Sequence, residues 1–157
     1  LFTSLDHLGE NVTNAEEAEN ARDEYIHSIY SIGDLQTNVS LKLTQLGLGF
    51  DFNFCLGNVC SIAERAADSR ILVRIHMEDA STIASTLEIF STLQRFGIRN
   101  IGLVFQAYLY RTEGDMKAVL SMGSSVRLCK GAYNEPRKLP SQRRQMWTTI
   151  SIALPPG

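Results

Sequence analysis

Four apolar stretches of this sequence each end in side chains able to bind an anion or move a proton. Lys42 follows Val39-Ser40-Leu41, and His76-Met77-Glu78-Asp79 follows the apolar residues around Val73 and Ile75. Gln106 closes residues 101–105, and Arg127 and Lys130 flank Leu128-Cys129, with Tyr133 just beyond. Lysine and arginine suit a carboxylate or a phosphate, and a glutamine can donate and accept at a heteroaromatic edge. Gly131 and Ala132 remove side-chain bulk where the last stretch ends, so a flat ligand could approach the backbone there. The plainer reading makes each of these an isolated loop residue, with Arg127 and Lys130 as surface cations beside a turn. Cations at the ends of apolar strands are costly to bury alone, however. Their recurrence at four successive ends favours one shared mouth lined by Lys, Arg, Gln and Tyr.

The elements that must position these groups can be read from periodicity. Residues 2–8 alternate loosely as a short strand that stops at Gly9. Thr13 and Glu16 form a capping box ahead of a helix carrying Ala18, Ala21, Tyr25 and Ile29, with Gly33 as its stop. Residues 37–44 read as a strand, with Val39, Leu41 and Leu43 in one phase and Ser40, Lys42 and Thr44 in the other. Gly47 and Gly49 break it, and a helix from about Asp51 presents Cys55, Val59, Ile62 and Ala66 on one face. Residues 71–77 form the third strand. Asp79 or Ser81 caps the next helix, whose Ile83, Leu87, Phe90 and Leu93 face inward until Gly97. Residues 101–107 are nearly all apolar, as a strand covered on both faces should be. A short helix with Met116, Val119 and Leu120 precedes the fifth strand, where Val126, Leu128 and Cys129 fit a buried run. From Asn134 onward four prolines punctuate a basic segment, expected to be loop with at most one short helix over 142–152.

Strand and helix alternate at about 25 to 35 residues, the pattern of an α/β protein with a parallel sheet. No G-x-G-x-x-G follows the first strand, which argues against a dinucleotide-binding open sheet. Chemistry placed at strand ends favours a (βα)8 barrel of the TIM type. Only five strands are readable where a complete barrel has eight, so the expectation is a partial barrel with two open sheet edges.

Composition narrows the partners. The 157 residues are 44% hydrophobic and 20% charged, ordinary for a globular domain, and the net charge of −2 argues against a nucleic-acid binder. Charge is uneven: Arg137, Lys138, Arg143 and Arg144 put about +4 after Glu135, which leaves about −6 on the remainder of a chain whose net charge is −2. Cys55, Cys60 and Cys129 have no metal-ligand spacing and read as free, buried thiols of a reducing compartment. No stretch approaches a membrane span, and the N-terminus lacks the basic start and apolar run of a signal peptide. The missing initiator Met reads as processing or as excision of a fragment.

Several blocks stand in order: Leu5-Asp-His-Leu-Gly-Glu10, Val39-Ser-Leu-Lys42-Leu-Thr-Gln-Leu-Gly47, Ile75-His-Met-Glu-Asp79, Phe105-Gln-Ala-Tyr-Leu-Tyr-Arg111 and Val126-Arg-Leu-Cys-Lys-Gly-Ala-Tyr133. With these, residues 5–136 resemble the proline dehydrogenase family, in particular its single-function bacterial branch. The resemblance implies a flavoenzyme on a distorted βα barrel. It would oxidise L-proline to 1-pyrroline-5-carboxylate with FAD and pass electrons to a membrane quinone, in the cytoplasm or at the membrane periphery. By position, Lys42 would hold the substrate carboxylate and Tyr133 would wall its pocket. Arg127 and Lys130 would lie by the flavin, Gln106 at the isoalloxazine edge, and Met77, Gly131 and Ala132 would give backbone contact. His76 and Arg127 are the catalytic candidates; no metal is implied.

Two departures qualify this. The family has an aspartate where this chain has His76, and that aspartate would be the partner of the strand-two lysine. Its loss is expected to leave Lys42 without a counter-ion, to keep the imidazole neutral, and to give a site that holds flavin yet turns over slowly. The alternatives make His76 a tolerated replacement or a general base. The final strands and helix that carry the family's arginine pair are not identifiable, and Arg143-Arg144 does not resemble them. The expected division is therefore a partial barrel over 1–136 and an irregular basic tail over 137–157. The alternative function is a truncated, impaired remnant that binds flavin or a partner, self-association through open sheet edges included.

Overall fold

In the computed structural model the described residues are 3–32, 37–107, 109, 111–131 and 150–152, the last three as backbone. Strand β1 (Thr3–Asp6) leads to helix α1 (Ala15–Ile32), and β2 (Thr37–Leu41) to a 3-10 turn (Leu43–Leu46) and α2 (Phe52–Asp68). Then come β3 (Leu72–His76), α3 (Ile83–Arg95), β4 (Ile101–Gln106), α4 (Thr112–Ser121), β5 (Ser125–Cys129) and β6 (Ile150–Ile152). Strands β1 to β5 pair in chain order and all in parallel. This is the partial barrel expected from the strand–helix alternation.

The tail departs from expectation. Residues 150–152, assigned above to a loop or short helix, form a strand antiparallel to β5, pairing Val126 with Ile152 and Leu128 with Ile150. The outer edge of β5 is therefore not open, and only β1 leaves its outer edge unpaired among the described strands that run in parallel. An unpaired row of backbone groups will take any strand that reaches it.

Period-two alternation gives the sheet two unlike faces. On one, Val39, Leu41, Val73, Ile75, Ile101, Leu103, Phe105 and Val126 are buried against the helices. Helix α1 meets them with Ala18, Ala21, Tyr25 and Ile29, and α2 with Cys55, Val59, Ile62 and Ala66, as their spacing predicted. In α3, Ile83, Phe90 and Leu93 are buried as expected, but Thr86 and Ile89 fill the place given to Leu87, which is half-buried. Cys60 and Cys129 are likewise half-buried rather than buried, and Leu128 with them. On the opposite face the strands carry polar groups. Ser4 donates to Asn38 Oδ1 at 2.7 Å, and Arg127 Nη2 reaches the same oxygen from β5 at 3.3 Å. A side chain of β5 can meet β2 across two intervening strands only if the sheet curls with this face inside.

Local chemistry sets the element ends. The cap of α1 lies one residue later than Thr13: Asn14 Oδ1 accepts from Glu17 N at 2.9 Å, while the Glu17 carboxylate accepts from Thr13 N at 3.0 Å. Asparagine is a stronger cap than threonine, and the return bond comes from Glu17 rather than Glu16, to the residue before the cap. Asp51, near which the helix was expected to begin, caps α2, accepting from Phe54 N at 2.9 Å. Asp79, not Ser81, closes the turn before α3, taking Ser81 N at 2.9 Å and Thr82 N at 3.2 Å. Strand β2 ends at Leu41 rather than 44, because the chain tightens into the 3-10 turn that Gly47 terminates at φ 101°.

Close packing of β4 on β5 depends on Gly102, where an added Cβ would stand 2.4 Å from Ser125 O. Backbone cannot yield cheaply, so Gly102→Ala should destabilise the fold by about 1–3 kcal/mol. A lowered midpoint in urea denaturation would show it; an unchanged midpoint would mean that the two strands can part without loss.

Candidate functional site

The site begins with the turn that carries Lys42. Glu78, just past β3, is buried, and its carboxylate accepts from Thr44 N at 3.1 Å and from the Thr44 hydroxyl. Burial raises its pKa, against which the Thr44 and Leu43 hydrogen bonds and nearby Lys42 pull down. Thr44 in turn anchors residues 11 and 12: Asn11 N donates to its hydroxyl and Val12 N to its carbonyl, each at 3.2 Å. Gln45 holds the same loop through Leu8 O and is itself held by Tyr25, whose hydroxyl donates to Gln45 Oε1 at 3.1 Å. These contacts place Glu10 against Lys42, Oε2 to Nζ 3.2 Å. The expectation that Lys42 lacks a counter-ion is thus corrected: the loop after β1 supplies one.

Register then brings the cations together. Leu41 pairs with Ile75, so Lys42, the next residue, stands level with His76. His76 pairs with Val104, and Val104 with Arg127. Lys42, His76 and Arg127 therefore occupy one rung of the inner face. The rung behind it runs through Asp6, Ser40, Arg74, Gly102 and Ser125.

His76 is held below the usual histidine range mainly by burial; Asp6 opposes this, while Arg127, Lys42 and Arg74 add to it. The neutral ring is the form expected from the sequence. Its Nε2 is buried without a partner among the described residues. Gln106 is buried, with Nε2 donating to Met77 O at 2.5 Å and Glu78 O at 3.1 Å, and Oε1 unpartnered. Met77 points its side chain into the helix-side core, and its N–H donates to Val104 O at 2.9 Å. Lys130 is exposed just beyond β5, and Gly131 follows at φ 102°. Ala132 and Tyr133 lie outside the described residues.

Sequence reasoning overlooked Glu10, Asn38 and Arg74, and gave Glu78, one of its strand-end residues, no role of its own. Arg74 had a signal, a lone cation two residues before His76 and so on the same face of an apolar strand. Glu10 and Asn38 had none, because each meets its partner only through the fold. Among the described residues no three His, Cys, Asp or Glu side chains gather as a metal site, and no helix is long and apolar enough to cross a membrane.

A family model for proline dehydrogenase matches residues 1–149. The chain belongs to the proline dehydrogenase family. It is 40% identical over 141 residues to proline dehydrogenase 2 of Bacillus subtilis strain 168, covering 88% of this chain and 46% of that protein. With the proline dehydrogenase of Deinococcus radiodurans it shares 34% identity over 139 residues, 85% of this chain and 45% of the other. The chain thus spans about half the length of these relatives. A mutant proline utilization A (PutA) from Bradyrhizobium japonicum superposes with TM-score 0.75 at 26% identity, over 83% of this chain and 16% of that one. PutA from Bdellovibrio bacteriovorus, inactivated by N-propargylglycine, gives TM-score 0.71 at 24% identity over 84% and 18% of the two chains. The five parallel strands of this proline dehydrogenase relative are accordingly a portion of a TIM-type barrel.

The depressed pKa of His76 makes a prediction about stability. A folded-state value below the unfolded 6.5 means that folding favours the neutral ring. Its contribution is complete above that unfolded value and is lost as pH falls through the folded one, by at most about 1.4 kcal/mol per pH unit. Unfolding free energies measured from pH 7.5 down to 5 should therefore fall more steeply for the native chain than for His76→Asn. Parallel curves would show that the ring does not sense its burial.

Proposed function

We propose that this chain carries the strand-end half of an FAD-dependent site for oxidising L-proline to 1-pyrroline-5-carboxylate. The observation that supports this most is the shared rung of Lys42, His76 and Arg127 on the inner face of a parallel sheet. The open polar atoms fit a flavin with its substrate: Gln106 Oε1 and His76 Nε2 are buried without partners among the described residues, and the cations Arg127 and Lys42 act on His76. When bound, FAD supplies a two-electron acceptor for the C–H bond beside the proline nitrogen.

In this reading the Lys42 ammonium exchanges Glu10 for the substrate carboxylate, a charge-assisted contact that fixes the ring's position. Neutral His76 takes the proton of the substrate's secondary ammonium at Nε2 and frees the lone pair that assists C–H cleavage. Arg127 and Lys130 place positive charge where an electron-rich ring is favoured. Gln106 offers Oε1 to a ring N–H, and Met77 enters through its hold on the Gln106 amide. Gly131, with Ala132, lets backbone approach the ring, and Tyr133 walls the substrate side. Electrons would leave to a quinone, with the protein in the cytoplasm or at the membrane periphery, and a partner strand could add to the β1 edge. A second reading, flavin held with slow turnover, is favoured by the Lys42–Glu10 pair at 3.2 Å, because substrate must displace a carboxylate already in place.

The chain purified with FAD should be yellow, and anaerobic L-proline should bleach it. No colour would sink the flavin reading; colour without bleaching would leave the slow one. Where bleaching occurs, His76→Asn should lower its rate about 10²-fold and erase the acid limb of the pH profile. Glu10→Gln should lower the proline concentration needed for half-maximal rate. A full rate in His76→Asn would remove His76 from the proton transfer.

A further inference from the structure

Arg74 is the one arginine set inside β3, and it is 5% exposed. Its Nε and Nη1 meet no acceptor among the described residues. The groups that act on it are Arg127, which opposes its charge, and the Cys129 thiol; burial itself weighs most against it. No carboxylate among the described residues compensates it: Asp6 acts on His76, Glu10 holds Lys42, and Glu78 is turned to Thr44. A buried cation with open donors and no counter-ion is one of the most costly arrangements a fold can hold. Two residues on along the strand, His76 Nε2 is buried and open as well. On the neighbouring strand Gly102 pairs with Arg74 and adds no side chain to this face.

From this we infer that Arg74, with His76 and Arg127 beside it, forms a seat for a small carboxylate anion on the inner face, one rung behind Lys42. A planar carboxylate matches the guanidinium edge, and a neutral imidazole can add one further hydrogen bond. A single negative charge suits the seat better than a phosphate, because a dianion would carry a larger desolvation cost into a place this buried. The seat lies one rung behind the carboxylate position assigned to Lys42, shares His76 and Arg127 with the site proposed above, and does not depend on flavin.

The test uses the 157-residue chain without FAD or proline, so its result is independent of the oxidation assay. Thermal unfolding is followed while sodium acetate replaces sodium chloride at constant ionic strength. Acetate should raise Tm by several degrees along a saturable curve, as a ligand of the folded state does. Arg74→Met, which puts an apolar chain of similar length in the buried place, should abolish the saturable rise. His76→Asp, which supplies a carboxylate from within, should raise Tm in chloride and flatten the acetate response. If Arg74→Met does not fold, saturation transfer from the native protein to the acetate methyl, lost in Arg74→Lys or in His76→Asp, decides the same question. Equal curves in acetate and chloride would overturn the seat, as would an acetate response that survives in Arg74→Met. A phosphate response stronger than that of acetate would overturn the assignment to a carboxylate.

Discussion

The carboxylate of Glu78, buried between the end of β3 and the turn after β2, accepts hydrogen bonds from the Thr44 backbone and hydroxyl. It thereby fixes one strand end relative to its neighbour. Burying a carboxylate costs several kcal/mol unless donors surround it, so the turn cannot drift without exposing that cost. Everything at this end of the sheet is referred to that lock. Thr44 holds the loop that delivers Glu10, Lys42 lies two residues before Thr44, and Gln106 hangs from the carbonyls of Met77 and Glu78.

Parallel pairing does the rest. Each residue of β2, β3, β4 and β5 has a set partner, so alternate side chains of four strands must share one face. The helix side is filled with aliphatic groups and excludes water. The inner side therefore collects the polar residues, cations more than anions. Burial above all, with neighbouring cations adding to it, shifts Arg74 and His76 toward neutrality. An electropositive surface of this kind gains most from an anionic or electron-rich ligand and least from a cation.

What the residues declared alone was the alternation of strands and helices, the parallel sheet and the strand ends as the place of chemistry. Apolar period and β-branching carry that information locally, so Val39 and Leu41 or Val73 and Ile75 could be assigned before any contact was known. The blocks around Lys42, His76, Gln106 and Arg127 also declared the proline dehydrogenase family, because spacing along a chain survives when contacts are invisible.

Only the tertiary structure decided which charges meet. Glu10 neutralises Lys42 from 32 positions away, and Arg127 reaches Asn38 across 89. Neither separation leaves a trace in local pattern. The antiparallel pairing of residues 150–152 with β5 was hidden for the same reason: an edge accepts whichever strand the chain brings to it, and no short apolar triplet names its partner in advance. Burial too is a property of the assembled layers. It alone turned Arg74 from an ordinary strand arginine into a cation with donors left open.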